Sequence, residues 1–251
     1  MLNYTISKNG KQPLVLLHGF IEDNTIWSDM QNSLSENFQL IKIDLPGHGK
    51  SDVISEIQTM DMMADEVKKV VDHLNIKDIH LLGHSMGGYT TLAFAEKYPE
   101  LLKSISLFFS STLADNDEKK DIRRRSIDVI DKNYSLFVNN SIPNLFSENE
   151  KDILKDKINL AKEIALRTNT EGVKASQLGM AERHDKTKIL LEFNSKILII
   201  AGKHDNAVKT ETFFQHIPNR HNIKTYVLDC GHNGHWEKPS ICSEIINTEL
   251  L

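Results

Sequence analysis

The sequence predicts an α/β protein, a mostly parallel, doubly wound sheet with a helical cap inserted between two strands. Three observations carry that expectation. Short runs that are apolar on both faces recur along the chain, as strands covered by helices on both sides require. Helical patterns separate these runs, which is the alternation of right-handed crossovers. The alternation breaks once, over 112–185, where 13 Lys/Arg and 14 Asp/Glu fall in 74 residues, about 36%, against 38 charges in the other 177, about 21%.

The elements follow in order. Tyr4 to Ser7 is expected as an edge strand. Pro13 to Leu17 is the first apolar run and ends in His18-Gly19; Phe38 to Leu45 ends in Pro46-Gly47, and Ile79 to Leu82 ends in Gly83. Helices are expected near 25–36, 60–74 and 87–98, between and after these strands. Ile105 to Phe109 is the fourth run. The charged segment that follows reads as amphipathic helices over about 117–132, 148–168 and 171–184, with Leu178 on the inward stripe of the last. Ile197 to Ala201 and Thr225 to Leu228 complete the sheet, with helices near 208–216 and 239–250. The expected division is a core of 1–111 and 186–251 and a cap of 112–185.

Composition narrows the function classes. With 251 residues, 39% hydrophobic and a net charge of −5, the chain has a full core and is not disordered. A pI near 6.1 argues against a nucleic-acid partner. No apolar run is long enough to span a bilayer, and Met1 to Ser7 lacks the basic start and long apolar stretch of a secretory signal. Cys230 and Cys242 make no disulfide framework. The expectation is a cytoplasmic protein with no membrane association; oligomeric state is not legible.

The chemistry centres on Gly83-His84-Ser85-Met86-Gly87, a G-x-S-x-G between a strand and a helix. A turn that tight strains its middle residue, needs glycine two positions away on each side, and holds the serine hydroxyl at the carboxyl end of the sheet. A serine nucleophile needs a base. His232, in Asp229-Cys230-Gly231-His232 after the last strand, is the candidate, with His235 as rival. His18, His48 and His84 adjoin glycines in turns and are expected to hold loops. The base needs a carboxylate, and Asp205 in Gly202-Lys203-His204-Asp205 gives the order Ser85, Asp205, His232. By itself Asp205 also fits a helix cap. Oxyanion donors are expected from the backbone N–H groups of Met86 and Phe20, with the Phe20 side chain lining the pocket. No metal-ligand spacing is present and no cofactor is required. Arg123, Arg124 and Arg125 read as a solvated face; Arg123, nearest the apolar stripe, is the one candidate binder of an anionic acid group.

On five ordered segments the sequence resembles the α/β-hydrolase superfamily over essentially its whole length. They are Leu17 to Phe20, Asp44 to Ser51, Gly83 to Gly88, Gly202 to Asp205, and Gly231 to Pro239. The resemblance implies a serine hydrolase cleaving a small carboxylic ester or related acyl compound. The pattern G-H-x-x-x-x-E-x-P places the base at His232 rather than His235. The segment 112–185 sits where that family carries its helical cap, and its last helix looks like that of esterases and enol-lactonases. Asn206-Ala207-Val208 and His184 stand where relatives often have proline. The same residues would also suit a carbon–carbon bond hydrolase, a lyase, a cofactor-free dioxygenase or a slow-turnover signalling receptor.

Overall fold

The computed structural model describes residues 1–7 and 12–251. Seven strands form one sheet: β1 (Tyr4–Ile6), β2 (Gln12–Leu17), β3 (Phe38–Ile43), β4 (Ile79–His84), β5 (Leu102–Phe108), β6 (Lys196–Gly202) and β7 (Ile223–Leu228). Their order is β1-β3-β2-β4-β5-β6-β7. Only β1 runs antiparallel, pairing Tyr4 with Ile43. Leu17 pairs with Ile43 and with Gly83, and Phe108 with Ile200. The loops after β2, β4, β5, β6 and β7 therefore leave from one edge. The winding reverses between β2 and β4, the crevice where such sheets bind ligands.

Alternation along β2 divides the core. Val15 and Leu17 pack beneath α2 (Met60–His73) and α3 (Met86–Lys97), against Val67, Val70 and Leu92. Leu14 and Leu16 face α1 (Ser28–Ser35) and the final helix, against Trp27, Met30 and Ile246. Strand residues buried on both sides explain the continuous apolar runs. α2 shows the helical spacing plainly. Met60, Met63, Ala64, Val67, Val70 and Val71 form its buried stripe, and the Thr59 hydroxyl caps it from the Met62 N–H.

Between β5 and β6 the chain is helical: α4 (Asp117–Ser141), α5 (Lys155–Arg167), α6 (Thr170–Ala181) and α7 (Thr187–Glu192). α4 runs past the expected end at 132 because the break there is local. Asn133 leaves helical geometry (φ −161°, ψ 83°), and its side chain accepts from the Leu136 N–H, recapping the chain at once. α5 begins later than expected, after the 3-10 turn Glu148–Glu150, and α7 was not expected. α8 (Thr210–Phe214), α9 (Gly234–Glu237) and α10 (Pro239–Leu250) complete the chain.

Two glycines fix α6 on the core. A Cβ at Gly172 would lie 2.2 Å from the Gly47 carbonyl oxygen, and one at Gly179 would lie 1.7 Å from that of Gln58. The Gln58 N–H donates to the Ala175 carbonyl at 3.0 Å, and its side-chain amide reaches Pro46 and Ser176. The glycines are seven apart, so both lie on one face of the helix. That register turns Gln177 and Met180 toward the interior cavity and leaves Leu178, expected there, half-buried elsewhere.

Candidate active site

Ser85 occupies the turn from β4 to α3 with φ +49° and ψ −112°, a backbone that costs an L-residue energy and persists only where neighbours impose it. A Cβ at Gly83 would stand 2.1 Å from the Gly87 carbonyl oxygen, and one at Gly87 would stand 2.5 Å from that of Leu17. The elbow is thus packed backbone to backbone against β2. Its peptide is held from both sides, the Ser85 N–H donating to Phe108 O at 3.0 Å and the Ser110 hydroxyl donating to Ser85 O at 2.8 Å. Met86 opens α3, so its N–H is among the first four without an intrahelical acceptor.

His232 and Asp205 meet across β6 and β7. His232 Nδ1 lies 2.7 Å from Asp205 Oδ2, with side-chain exposures of 3% and 1%. Asp205 Oδ1 accepts from the Ala207 and Val208 N–H groups, both at 2.8 Å. The loop-capping reading and the catalytic reading of Asp205 therefore hold together, one oxygen serving each. The loop around His232 is drawn in by Glu237, which accepts from the Gly231, Asn233 and Ser147 N–H groups. This ties the interstrand helical segment to the His232 loop.

Ser85, His232 and Phe20 line one cavity of about 870 Å³, bounded on its other side by residues of α4 and α6. The Phe20 ring meets Phe137 edge-on at 6.4 Å. His235 does not line it. That ring is fully buried, and neither nitrogen has a hydrogen-bond partner. Burial, then the neighbouring His84 charge, holds its pKa well below the usual histidine range.

Beneath the site lies a pair of residues, Glu22 and His84, of which sequence reasoning named only His84. Glu22 Oε2 accepts from the Gly19 N–H at 2.6 Å and faces His84 Nδ1 at 2.8 Å. The other ring nitrogen of His84 is 3.1 Å from the His232 carbonyl oxygen. A carbonyl only accepts, and so does an ionised carboxylate, so His84 donates from both nitrogens and carries a charge. Burial opposes both charges, but each group stabilises the other: Glu22 is lowered to about 2 and His84 raised. The pair links the Phe20 loop, the elbow and the His232 loop. His84 was expected to hold a loop and does so. Glu22 carried no signal, since its partner is 62 residues away.

The opposite wall corrects the reading of Arg123. It is not on a solvated face: its side chain is 13% exposed, with Nε 2.5 Å from Asp115 Oδ2 and Nη1 donating to Gln177. Arg124 and Arg125 do project outward. Asp115 also pairs with Arg183 at 2.8 Å, and the Arg183 guanidinium stacks over the Tyr89 ring at 4.0 Å. Burial would raise the Asp115 pKa, but Arg183 and Arg123 bring it to about 2.

Cys230 and Cys242 are free and buried, which raises both thiols. Among the described residues no cluster of His, Cys, Asp and Glu could hold a metal ion. No helix there is long and apolar enough to cross a membrane.

The family model described as "alpha/beta hydrolase fold" matches residues 12–239. The chain is 27% identical over 255 residues to 2-hydroxy-6-oxononadienedioate/2-hydroxy-6-oxononatrienedioate hydrolase 1 of Pseudomonas putida, covering 94% of this chain and 87% of that one. Among solved structures it is similar to a thermophilic esterase from Thermogutta terrifontis with malate bound, at TM-score 0.91 and 32% identity, over 99% of this chain and 92% of that one. The enol-lactonase of Burkholderia xenovorans LB400 also aligns at TM-score 0.91, over 99% and 96% of the two chains, and its 20% identity speaks for the fold alone.

Proposed function

The chain belongs to the alpha/beta-hydrolase family, and on that premise we propose that it hydrolyses a small carboxylic ester or related acyl compound through an acyl-enzyme on Ser85. The observation that carries this reading is that His232, hydrogen-bonded to Asp205, lines the same cavity as a serine held at positive φ. With Nδ1 given to Asp205, His232 has Nε2 for the reaction. It takes the Ser85 proton as Oγ attacks the carbonyl carbon, and Asp205 stabilises the resulting imidazolium. The Phe20 and Met86 N–H groups hold the oxyanion. The tetrahedral intermediate collapses, and the leaving alkoxide departs with the proton from His232. Water, deprotonated by the same ring, attacks the acyl carbon and returns Ser85. The helical segment 112–185 acts as the cap, closing the cavity over the nucleophile and setting which acyl groups fit.

The test is turnover of a panel of esters, thioesters and lactones by the wild type and three variants. Ser85→Ala and His232→Ala should each lose roughly 10⁴–10⁶ in kcat, because members of such a unit fail together. His235→Ala should act mainly on stability. A fluorophosphonate should label Ser85, and labelling of another serine would overturn the mechanism. The similarity to the Pseudomonas putida enzyme supplies a second reading, carbon–carbon bond hydrolysis on the same residues. Turnover of that enzyme's dienedioate with none of any ester would favour it.

A further inference from the structure

The cavity wall contributed by the interstrand helices carries more cationic hydrogen-bonding capacity than the protein uses. Asp115 is the buried carboxylate there, with its side chain 1% exposed. It faces two guanidiniums, Arg123 and Arg183, and the Lys119 ammonium, 3.6 Å away. Glu118 and Lys209 also line the cavity, both exposed and of opposite sign. One carboxylate cannot neutralise three cations, and a charge taken out of water is costly until paired.

The donor inventory locates the surplus. A guanidinium has five N–H donors. Arg183 spends its terminal nitrogens on Met180 O, Leu113 O and Asp115, and its Nε, in a side chain 7% exposed, has no partner. Arg123 gives Nε to Asp115 and one donor of Nη1 to Gln177. Its other terminal donors have no acceptor among the described residues. Asp115 and Gln177 hold the Arg123 fork in place at the cavity wall, and the stem of α6 beneath Gln177 is itself fixed to the core by its glycines. The cavity also offers apolar surface from Phe20, Phe137 and Met180, suited to the methylenes of a short chain.

We propose that Arg123, held by Asp115 and Gln177 and backed by Arg183 and Lys119, binds a carboxylate on the acyl portion of the substrate, so that the preferred substrates are monoesters of short dicarboxylic acids. This rests on the acyl-hydrolase reading of Ser85 and names the substrate class for it. A planar carboxylate can accept two of the three donors that Arg123 keeps on Nη1 and Nη2, and paired donation of that kind makes Arg recognition strong and selective. A neutral acyl group of the same size leaves those donors unpaired.

The experiment compares kcat/KM for the monomethyl esters of succinate, glutarate and adipate with the methyl esters of the matching mono-amides. In the wild type the acid should be preferred roughly tenfold or more at its best chain length. Arg123→Gln should bring that ratio near one, Arg123→Lys should keep part of it, and Arg124→Gln, on the outer face, should leave it at the wild-type value. A wild-type ratio near or below one, or a ratio that survives Arg123→Gln, overturns the subsite while ester turnover leaves the Ser85 reading standing. If no ester turns over and Ser85 is not labelled, that reading fails by itself. Calorimetry with glutarate then still decides the subsite, which requires binding by the wild type and weaker binding by Arg123→Gln.

Discussion

Two buried carboxylates line the cavity, and they are used differently. Glu22, under the sheet edge, and Asp115, in the helical wall, are both lowered to about 2 by cations packed against them. Around Glu22 the donors are spent: the Gly19 N–H and one His84 proton go to Glu22 Oε2, and the second His84 proton goes to His232 O. Around Asp115 they are not, and Arg123 retains donors at the cavity surface. A network whose donors are all used fixes positions and has nothing left to offer an anion. An open one is half of a binding site. On the proposed subsite, the lower wall serves geometry and the upper wall recognition.

Breaking the lower network should have the largest effect. Glu22→Gln removes the charge that His84 requires, and uncoupling a buried ion pair costs roughly 3–5 kcal/mol of stability. It also releases the Phe20 loop and the His232 loop from one another, and displacements of about 1 Å at a reacting centre cost on the order of 10²-fold in rate. We expect kcat to fall by about that factor, with KM changing little, in protein still folded at low temperature. A variant with wild-type kcat would show that the elbow and the Asp205–His232 pair hold the site unaided.

The matching break above is Asp115→Asn. It leaves two guanidiniums uncompensated, so roughly 3–5 kcal/mol of stability should again be lost. Turnover of a small neutral ester should fall much less than in Glu22→Gln. Equal losses of kcat in the two variants would erase the distinction between the walls.

Proton linkage separates them more finely, because the cation below is a histidine and those above are arginines and a lysine. His84, raised above 6.5, contributes stability present below that pH and lost as pH rises through its folded value. Buried neutral histidines work in the other direction. His235 is held well below 6.5 by burial and then by His84; His48 is held at about 3 by burial and then by His18; His80 is held at about 4 by burial and then by Lys103. Each costs stability as pH falls below 6.5, on the order of 1.4 kcal/mol per pH unit until its folded value is reached. Glu22 and Asp115 add to the loss only below about 4.5, as pH falls toward 2. Thermal midpoints across pH should peak near 6.5 and decline on both sides. A plateau down to pH 4.5 would contradict the neutral burial of the three histidines.

Along α6 the smallest effect should come from the side chain that misses the cavity. Leu178→Trp should leave the acyl-length profile unchanged, since that side chain misses the cavity. Met180→Trp fills the cavity and should shift the profile by roughly 10–200-fold between short and long chains. If Leu178→Trp shifts it as strongly, the register of α6 is wrong.

What was legible in the sequence follows the same division. The elbow, the Asp205 loop and the Gly231-His232 turn are contiguous stretches in which a glycine or a sheet end dictates the conformation, so their chemistry could be read locally. The alternation of apolar runs gave the sheet for the same reason. Glu22 with His84, and Asp115 with Arg123 and Arg183, are joined only by folding; the Asp115–Arg183 contact closes 68 residues. Periodicity placed Arg123 near the apolar stripe but could not show what it would meet. Periodicity also put Leu178 inward, because it assumes that a helix turns its most apolar face to the interior. Here two glycines set the rotation instead, by allowing backbone to lie on backbone.

Those glycine contacts also bear on how the enzyme can change. Adding a single carbon at 172 or 179 drives α6 into the main chain of the loop below, so variation there is closed to selection and to mutagenesis alike. The inner surface of α4 carries no such weld, and its capped break at Asn133 already tolerates irregular backbone. A combinatorial library aimed at new substrates should spend its diversity on 118–126 and 137–145 and keep Gly172 and Gly179 of α6 fixed. Relatives that diverge in substrate while keeping this architecture should differ along the first helix of the insert and keep small residues at the two glycine positions of the third.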